Sequence, residues 1–222
     1  MMRTTLLLLL LLTGCFSLTG EGYRAWMSER FAPAQLVSEK LLLEFSEERI
    51  TVHASFLFQN EVQDAIFCCF PGRGYPVSHG LPGLPSVLPV SPDRMMVSIA
   101  HGSGLTLDTP TGQQVDVFVH ESDDGVSHGF VTGFSNAMAR VDIRYENRWH
   151  TLPDGRRFFA YILTSGARWR GPIGSLSVIE RGCRTHGVRR VWPDRIPESR
   201  VEPDFDLVYI IPADSSGKRD QE

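Results

Sequence analysis

The sequence predicts an all-β fold: an antiparallel β-sandwich, immunoglobulin-like or related, with one long loop rich in proline and glycine. Three observations lead there. Apolar and polar residues alternate at period two in one stretch after another. Strand-like stretches recur at spacings of roughly 8–15 residues with turn residues between them. The 222 residues include 20 Gly and 14 Pro, which favours many turns and few long helices.

The first strands are the clearest. From Leu36, Leu41, Leu43 and Phe45 share one face while Lys40, Leu42 and Glu44 share the other. Ser46-Glu47-Glu48-Arg49 turns the chain, and Ile50, Val52, Ala54, Phe56 and Phe58 then alternate with polar neighbours. Ala65 to Phe70 is a continuous apolar run ending at Pro71-Gly72, the pattern of an interior strand covered on both faces. Gly72 to Pro92 carries too many prolines for a ladder and reads as a long irregular loop, either a cover or a functional segment.

Arg94 to Ala100 reads as a strand. Leu105–Asp108 and Val115–His120 flank a hairpin-like break, and Glu121–Gly125 reads as an acidic turn. Ser127–Phe134 follows as a strand. In Ala139–Tyr145, Val141, Ile143 and Tyr145 point inward while Arg140, Asp142, Arg144 and Glu146 point to solvent. Phe158–Thr164, Ile173–Glu180, Val188–Trp192 and Pro203–Ile211 complete an expected nine to eleven strands, the last with Phe205, Leu207, Tyr209 and Ile211 on one face.

The N-terminus has a different character. Arg3 precedes seven leucines, Leu6 to Leu12, and then Thr13-Gly14-Cys15. A charged start, a short apolar run and small residues make a secretory signal. The leucine run spans about 10–15 Å as helix, short of a bilayer core of roughly 30 Å. The order Leu12-Thr13-Gly14-Cys15 resembles the bacterial lipoprotein signal. That resemblance implies cleavage before Cys15 and a diacylglycerol on its thiol, and Phe16 in the next position implies the outer rather than the inner membrane. The competing reading is an ordinary signal peptide cut elsewhere, with Cys15 discarded. The expected organisation is therefore a signal at 1–14, a tether at 15–35, the sandwich at 36–212 and a polar tail at 213–222. A short helix from Tyr23 to Phe31 is compatible with the tether.

A second resemblance rests on Tyr161 to Ile173, which contains Thr164-Ser165-Gly166 and Trp169-Arg170-Gly171-Pro172-Ile173. This piece is similar to the C-terminal part of an uncharacterised family of exported bacterial β-rich proteins with a Trp-x-Gly-Pro-Ile motif. Ile50–Pro71 and Phe205–Ile210 are similar to that family's opening hairpin and closing strand. The resemblance implies export and β structure and carries no activity. Physically, Gly166 suits a positive-φ turn, and Trp169 suits capping one end of the sandwich with its indole N–H on a carbonyl. Contact with a carbohydrate is the rival role for Trp169.

The chain carries 22 basic and 26 acidic side chains, and loss of Arg3 with the signal leaves a net charge of −5. That balance argues against a nucleic-acid partner. Of four cysteines, Cys68, Cys69 and Cys183 remain beside an acylated Cys15. Adjacent residues of a strand face opposite sides, so one of the pair can meet Cys183: Cys69–Cys183, or Cys68–Cys183. Three cysteines without paired short spacings do not make a structural zinc site. Four of the seven histidines precede glycine, at His79, His101, His128 and His186. Gathered at one end of a sandwich, these turns would make a ligand contact; no His-x-His or His-x-x-x-His spacing supports a metal. No Gly-x-Ser-x-Gly is present, and Ser103 lacks an identifiable partner. Asp123, Asp124, Asp142 and Glu146 are the acidic residues available to glycoside chemistry, and solvated turns explain them as well. Arg181, Arg184, Arg189, Arg190, Arg195 and Arg200 form a basic run suited either to anionic lipid headgroups or to a solvated face.

The sequence thus points to a lipid-anchored envelope protein, with its domain in the periplasm, that binds another envelope protein without catalysis. Neither a cofactor nor catalytic residues are expected. The competing reading is a carbohydrate-binding or hydrolytic sandwich built on the Gly72–Pro92 loop and the His-Gly turns.

Overall fold

The computed structural model describes residues 34–60, 65–122, 125–133, 138–164 and 171–213. The described chain is all-β and contains no α-helix. Period-two patterning accounts for the long strands β1 (Ala34–Phe45), β2 (Arg49–Asn60), β4 (Asp93–His101), β8 (Met138–Arg148) and β11 (Ile173–Arg181). With β5 (Gln113–Val115) and β13 (Ser199–Val201) they form a seven-stranded sheet in the order β13-β11-β1-β2-β8-β4-β5. A four-stranded sheet runs β12 (Arg189–Trp192), β14 (Leu207–Ile211), β10 (Arg157–Tyr161), β9 (His150–Thr151). A three-stranded sheet runs β3 (Ala65–Pro71), β7 (Gly125–Gly133), β6 (Phe118–Ser122).

The fourteen strands of the described residues exceed the nine to eleven expected, because β5, β9 and β13 have two or three residues each and leave no periodic trace. β1 begins at Ala34, inside the expected tether. The arrangement is antiparallel except for β1 beside β11, which run parallel from Ser38↔Ser175 to Glu44↔Arg181. A parallel pair needs a long crossover, and here the connection takes in nearly all the intervening strands. Leu105–Asp108 forms turns instead of a strand. The segment containing it crosses the outer face of the large sheet: Asp108, between β4 and β5, pairs with Lys40 on β1 at 3.7 Å. That face is therefore not simply solvated. Arg140 is buried there, donating to Asp142 Oδ1, which also accepts from Ser55 Oγ at 2.6 Å.

The main core lies between the inner face of the large sheet and one face of the four-stranded sheet. Leu41, Leu43, Phe45, Ile50, Val52, Val141, Ile143 and Tyr145 meet Phe159, Tyr161, Leu207, Tyr209 and Ile211. Phe45 is central, with ring centroids 4.9 Å from Tyr209 and 5.8 Å from Trp149. The Trp149 indole N–H donates to the Ser46 carbonyl at 3.0 Å, a capping role expected of Trp169, which lies outside the described residues. Phe70 on β3 brings the small sheet in, edge-on to Tyr145 and Tyr161.

Strand position in the sheets and coverage of the faces follow from pairings between distant segments. Among the described residues, β3 stands at an edge of its sheet and pairs with β7. β10 and β14 are the strands buried on both faces, because a second core covers their outer side. Phe158, Ala160, Ile162 and Val208 pack there against Val77 and Leu88, with Tyr75, Leu84 and Trp192 around them. The Gly72–Pro92 segment is thus a cover, folded on itself by a β-bridge from Pro76 to Val87.

Candidate functional site

Of the residues singled out for ligand contact, the described histidines are dispersed. His79 lies in the covering loop, where Nδ1 accepts from the Leu81 amide and Nε2 faces the Pro85 carbonyl, both at 2.8 Å. Both ring nitrogens are occupied locally, so this imidazole shapes its own loop. His101 ends β4 and is exposed. His128 sits within β7 and not in a turn; its backbone pairs with Phe70 and Val119. It is buried, and desolvation lowers its pKa against a small opposing effect of Asp93. Among the described residues, no group of three or more His, Cys, Asp or Glu side chains is placed to hold a metal. Asp142 is tied to Arg140 and Ser55, and Glu146 to Arg49. Cys15, Trp169, Asp123 and Asp124 lie outside the described residues.

Cys183 carries a free thiol, so neither the Cys69–Cys183 nor the Cys68–Cys183 bridge is formed. The backbone separates the partners: Cys69 pairs with Gly129 in the small sheet, while Cys183 lies in a turn beside the end of β1. The side chains of Cys68 and Cys69 lie outside the described set. Burial raises the Cys183 pKa, Glu180 adds to this and Arg190 opposes it, so the sulfur keeps its proton.

That turn, residues 182–187, forms the wall of an open cleft of about 590 Å³. Gly182 is required at its base. With φ of 81°, a Cβ there would stand 2.2 Å from the Phe45 carbonyl oxygen. Backbone bonds from His186 to Gly182 and from Val188 to Cys183 close the turn. The four-stranded sheet supplies the other wall. Its central strand β14 ends at Ile211 between the starts of β10 and β12, with Arg157 opposite Ile211 and Arg189 opposite Ile210. The cleft is consequently lined by Arg157, Arg184, His186 and Arg189, with Cys183, Val188, Ile211, Pro212 and Ala213 as its less polar parts.

Among the described residues, no carboxylate lines it. Arg157 donates to the backbone carbonyl of Glu47 and has no acidic partner among the described residues. Arg184 and Arg189 have no acidic partner among the described residues. The neighbouring arginines of the basic run are neutralised: Arg181 reaches Glu44, and Arg190 reaches Glu180. The run therefore divides into paired residues (Arg181, Arg190), cleft residues (Arg184, Arg189) and the exposed Arg195 and Arg200 beyond the cleft. His186 was visible in sequence only as one of the His-Gly pairs. Arg157 was missed, because nothing local relates it to a run beginning 24 positions later.

A second unusual feature lies in the main core. Glu39 on β1 points inward and is 3% exposed. Its Oε1 accepts from the Tyr161 hydroxyl at 2.9 Å. Burial pushes its pKa up to about 7, partly offset by that hydrogen bond. Sequence did hold a signal for it: Glu39 is in phase with Leu41, Leu43 and Phe45.

No protein-family profile matches this chain, and no curated protein matches it either. Among solved structures it is similar to a Legionella pneumophila protein provisionally assigned to nutrient binding, at 16% identity and TM-score 0.49, covering 81% of this chain and 62% of that one. It is also similar to leukotriene A4 hydrolase from Saccharomyces cerevisiae, at 12% identity and TM-score 0.42, covering 81% of this chain and 29% of that one. An M1 zinc metallopeptidase from Deinococcus radiodurans shows 9% identity and TM-score 0.36, with 81% and 38% covered. The chain spans less than two thirds of the length of each. At these identities and scores, the likeness defines neither an activity nor a ligand.

Proposed function

We propose that this chain is a lipid-anchored protein of the bacterial envelope, tethered through Cys15, whose β domain binds another envelope component without catalysis. The observation that carries the reading is the order Leu12-Thr13-Gly14-Cys15 after a leucine run too short to span a bilayer. Acylation would anchor the chain firmly, since each buried methylene contributes roughly 0.8 kcal/mol and stable anchoring takes two signals or chains. Phe16 after the cysteine favours the outer membrane. The seven-stranded sheet facing a four-stranded sheet across one core supports a sandwich-type architecture, with the parallel β1–β11 pair and the third sheet as departures from an immunoglobulin-like pairing.

The competing sugar-binding or hydrolytic reading has less behind it. Its loop spends Val77, Leu84 and Leu88 on the second core, and His79 spends both ring nitrogens on backbone groups. Mass spectrometry of the mature N-terminus, with membrane fractionation, tests the anchor. The expected product begins at Cys15 with a thioether-linked diacylglycerol, and Cys15→Ala leaves the precursor unacylated. A mature N-terminus beyond Cys15, in the soluble fraction, overturns the reading.

A further inference from the structure

We propose that the cleft between the 182–187 turn and the end of the four-stranded sheet is a binding site for a phosphate-bearing anion. The site goes beyond the anchor and does not depend on acylation. Arg157, Arg184, Arg189 and His186 line one cleft of about 590 Å³, and none of the described lining residues is acidic. In a chain with 26 acidic and 22 basic side chains, that separation of charge is local and is not a reflection of overall composition. Guanidinium groups present several donors in a planar fork, which matches the oxygens of phosphate and leaves no acceptor to repel them.

The walls explain why the charges stay together unpaired. Arg157 and Arg189 are held by adjacent pairings of one sheet, on either side of β14. Arg184 and His186 are held by a turn whose first residue can only be glycine. Four positive or ionisable groups from three separate elements thus meet at one place, with Val188, Ile211, Pro212 and Ala213 offering apolar contact to the organic part of a ligand. The multiple cations select a dianion over a monoanion, because each further charge adds Coulomb attraction in a concave, partly shielded site. The same phosphate chemistry occurs in a membrane headgroup bearing a phosphomonoester and in a small soluble phosphate.

Isothermal titration of inorganic pyrophosphate into the purified full-length chain at low salt tests the site, together with sedimentation on phosphatidylcholine vesicles with and without phosphatidic acid. Pyrophosphate is expected to bind saturably at one site, weakening as salt rises. Arg184→Ala with Arg189→Ala should weaken it at least about tenfold, the scale of losing charge-assisted hydrogen bonds. Arg195→Ala with Arg200→Ala, exposed and outside the cleft, should change it less than about twofold. Circular dichroism checks that both variants fold. Sedimentation with phosphatidic acid, competed by pyrophosphate, assigns the ligand to a headgroup; pyrophosphate binding without sedimentation assigns it to a soluble phosphate. Absence of saturable binding by either probe, equal loss in both double variants, or citrate binding as tightly as pyrophosphate overturns the proposal.

Discussion

Glu39 in the main core receives a hydrogen bond from the Tyr161 hydroxyl, whereas Asp206, at the margin of the second core, is held by the Ser78 amide and by both the amide and hydroxyl of Thr164. Both carboxyls are buried, at 3% and 0% exposure. Burial raises the pKa of each, and hydrogen bonds oppose the rise. For Glu39 the opposition is weak and the value reaches about 7, so charged and neutral forms coexist near neutrality. For Asp206 several donors oppose the desolvation, and the shift stays upward. It is a staple, tying the covering loop at Ser78 to the end of β10 at Thr164. The difference teaches that burial alone does not decide a carboxyl's state; the number of donors reaching it does.

The largest test of that contrast is Asp206→Ala. It strips a bonding partner from two backbone amides and a hydroxyl, so urea denaturation should show a loss of about 3–5 kcal/mol. Proteolysis within Gly72–Pro92 should quicken as the cover loosens. A loss below about 0.5 kcal/mol would mean that the loop is held by its apolar contacts alone.

Glu39→Gln should act in the opposite direction and only above acidic pH. The folded pKa is raised from 4.5 to about 7, so the folded state binds the proton more tightly. The resulting stabilisation is complete below about 4.5 and disappears as pH rises through about 7. Integrated over that window it amounts to about 3 kcal/mol at most. Glu39→Gln keeps an acceptor for Tyr161 and cannot ionise. The variant should match the parent near pH 5 and exceed it by about 2–3 kcal/mol at pH 8. Parallel stability–pH curves for the two proteins would remove Glu39 as the titrating group.

Tyr161→Phe removes the donor that steadies the charged form. A further upward shift of the stability midpoint is expected, with a loss of about 1–2 kcal/mol at pH 8. Trp149→Phe sets the baseline. It deletes a neutral hydrogen bond to the Ser46 carbonyl, and a loss of about 1 kcal/mol without pH dependence is expected in thermal melts. If its loss equals that of Asp206→Ala, the special standing of the multiply bonded carboxyl is gone.

Much of the fold was legible residue by residue. β1, β2 and β8 follow their alternation almost position for position, because a strand with one buried face must place every second side chain inward. The inward set Leu207, Tyr209 and Ile211 was readable for the same reason. The apolar run at Ala65–Phe70 gave the strand but not its edge position beside β7, since an apolar run carries no record of which strands pair with it. β10 and β14 are the strands covered twice, and their cover comes from a proline-rich loop some 70 to 130 positions earlier in the chain. The parallel β1–β11 pair was equally hidden, because strand direction is set by connections that leave no local pattern.

The candidate site divides along the same line. Arg184, Arg189 and His186 could be noticed as a basic stretch with a glycine turn. Which arginines are free could not, because Glu44 and Glu180 neutralise Arg181 and Arg190 only once β1, β11 and β12 are in place.

By itself, the order of residues determined the all-β class and the inner faces of the long strands, since these depend on neighbours within a few positions. Tertiary structure alone decided which charges remain unpaired, which carboxyl sits among aromatic rings and which loop becomes a lid on the second core. Those outcomes depend on Coulomb and packing distances between residues far apart in the chain, and such distances exist only after the sheets have closed on one another.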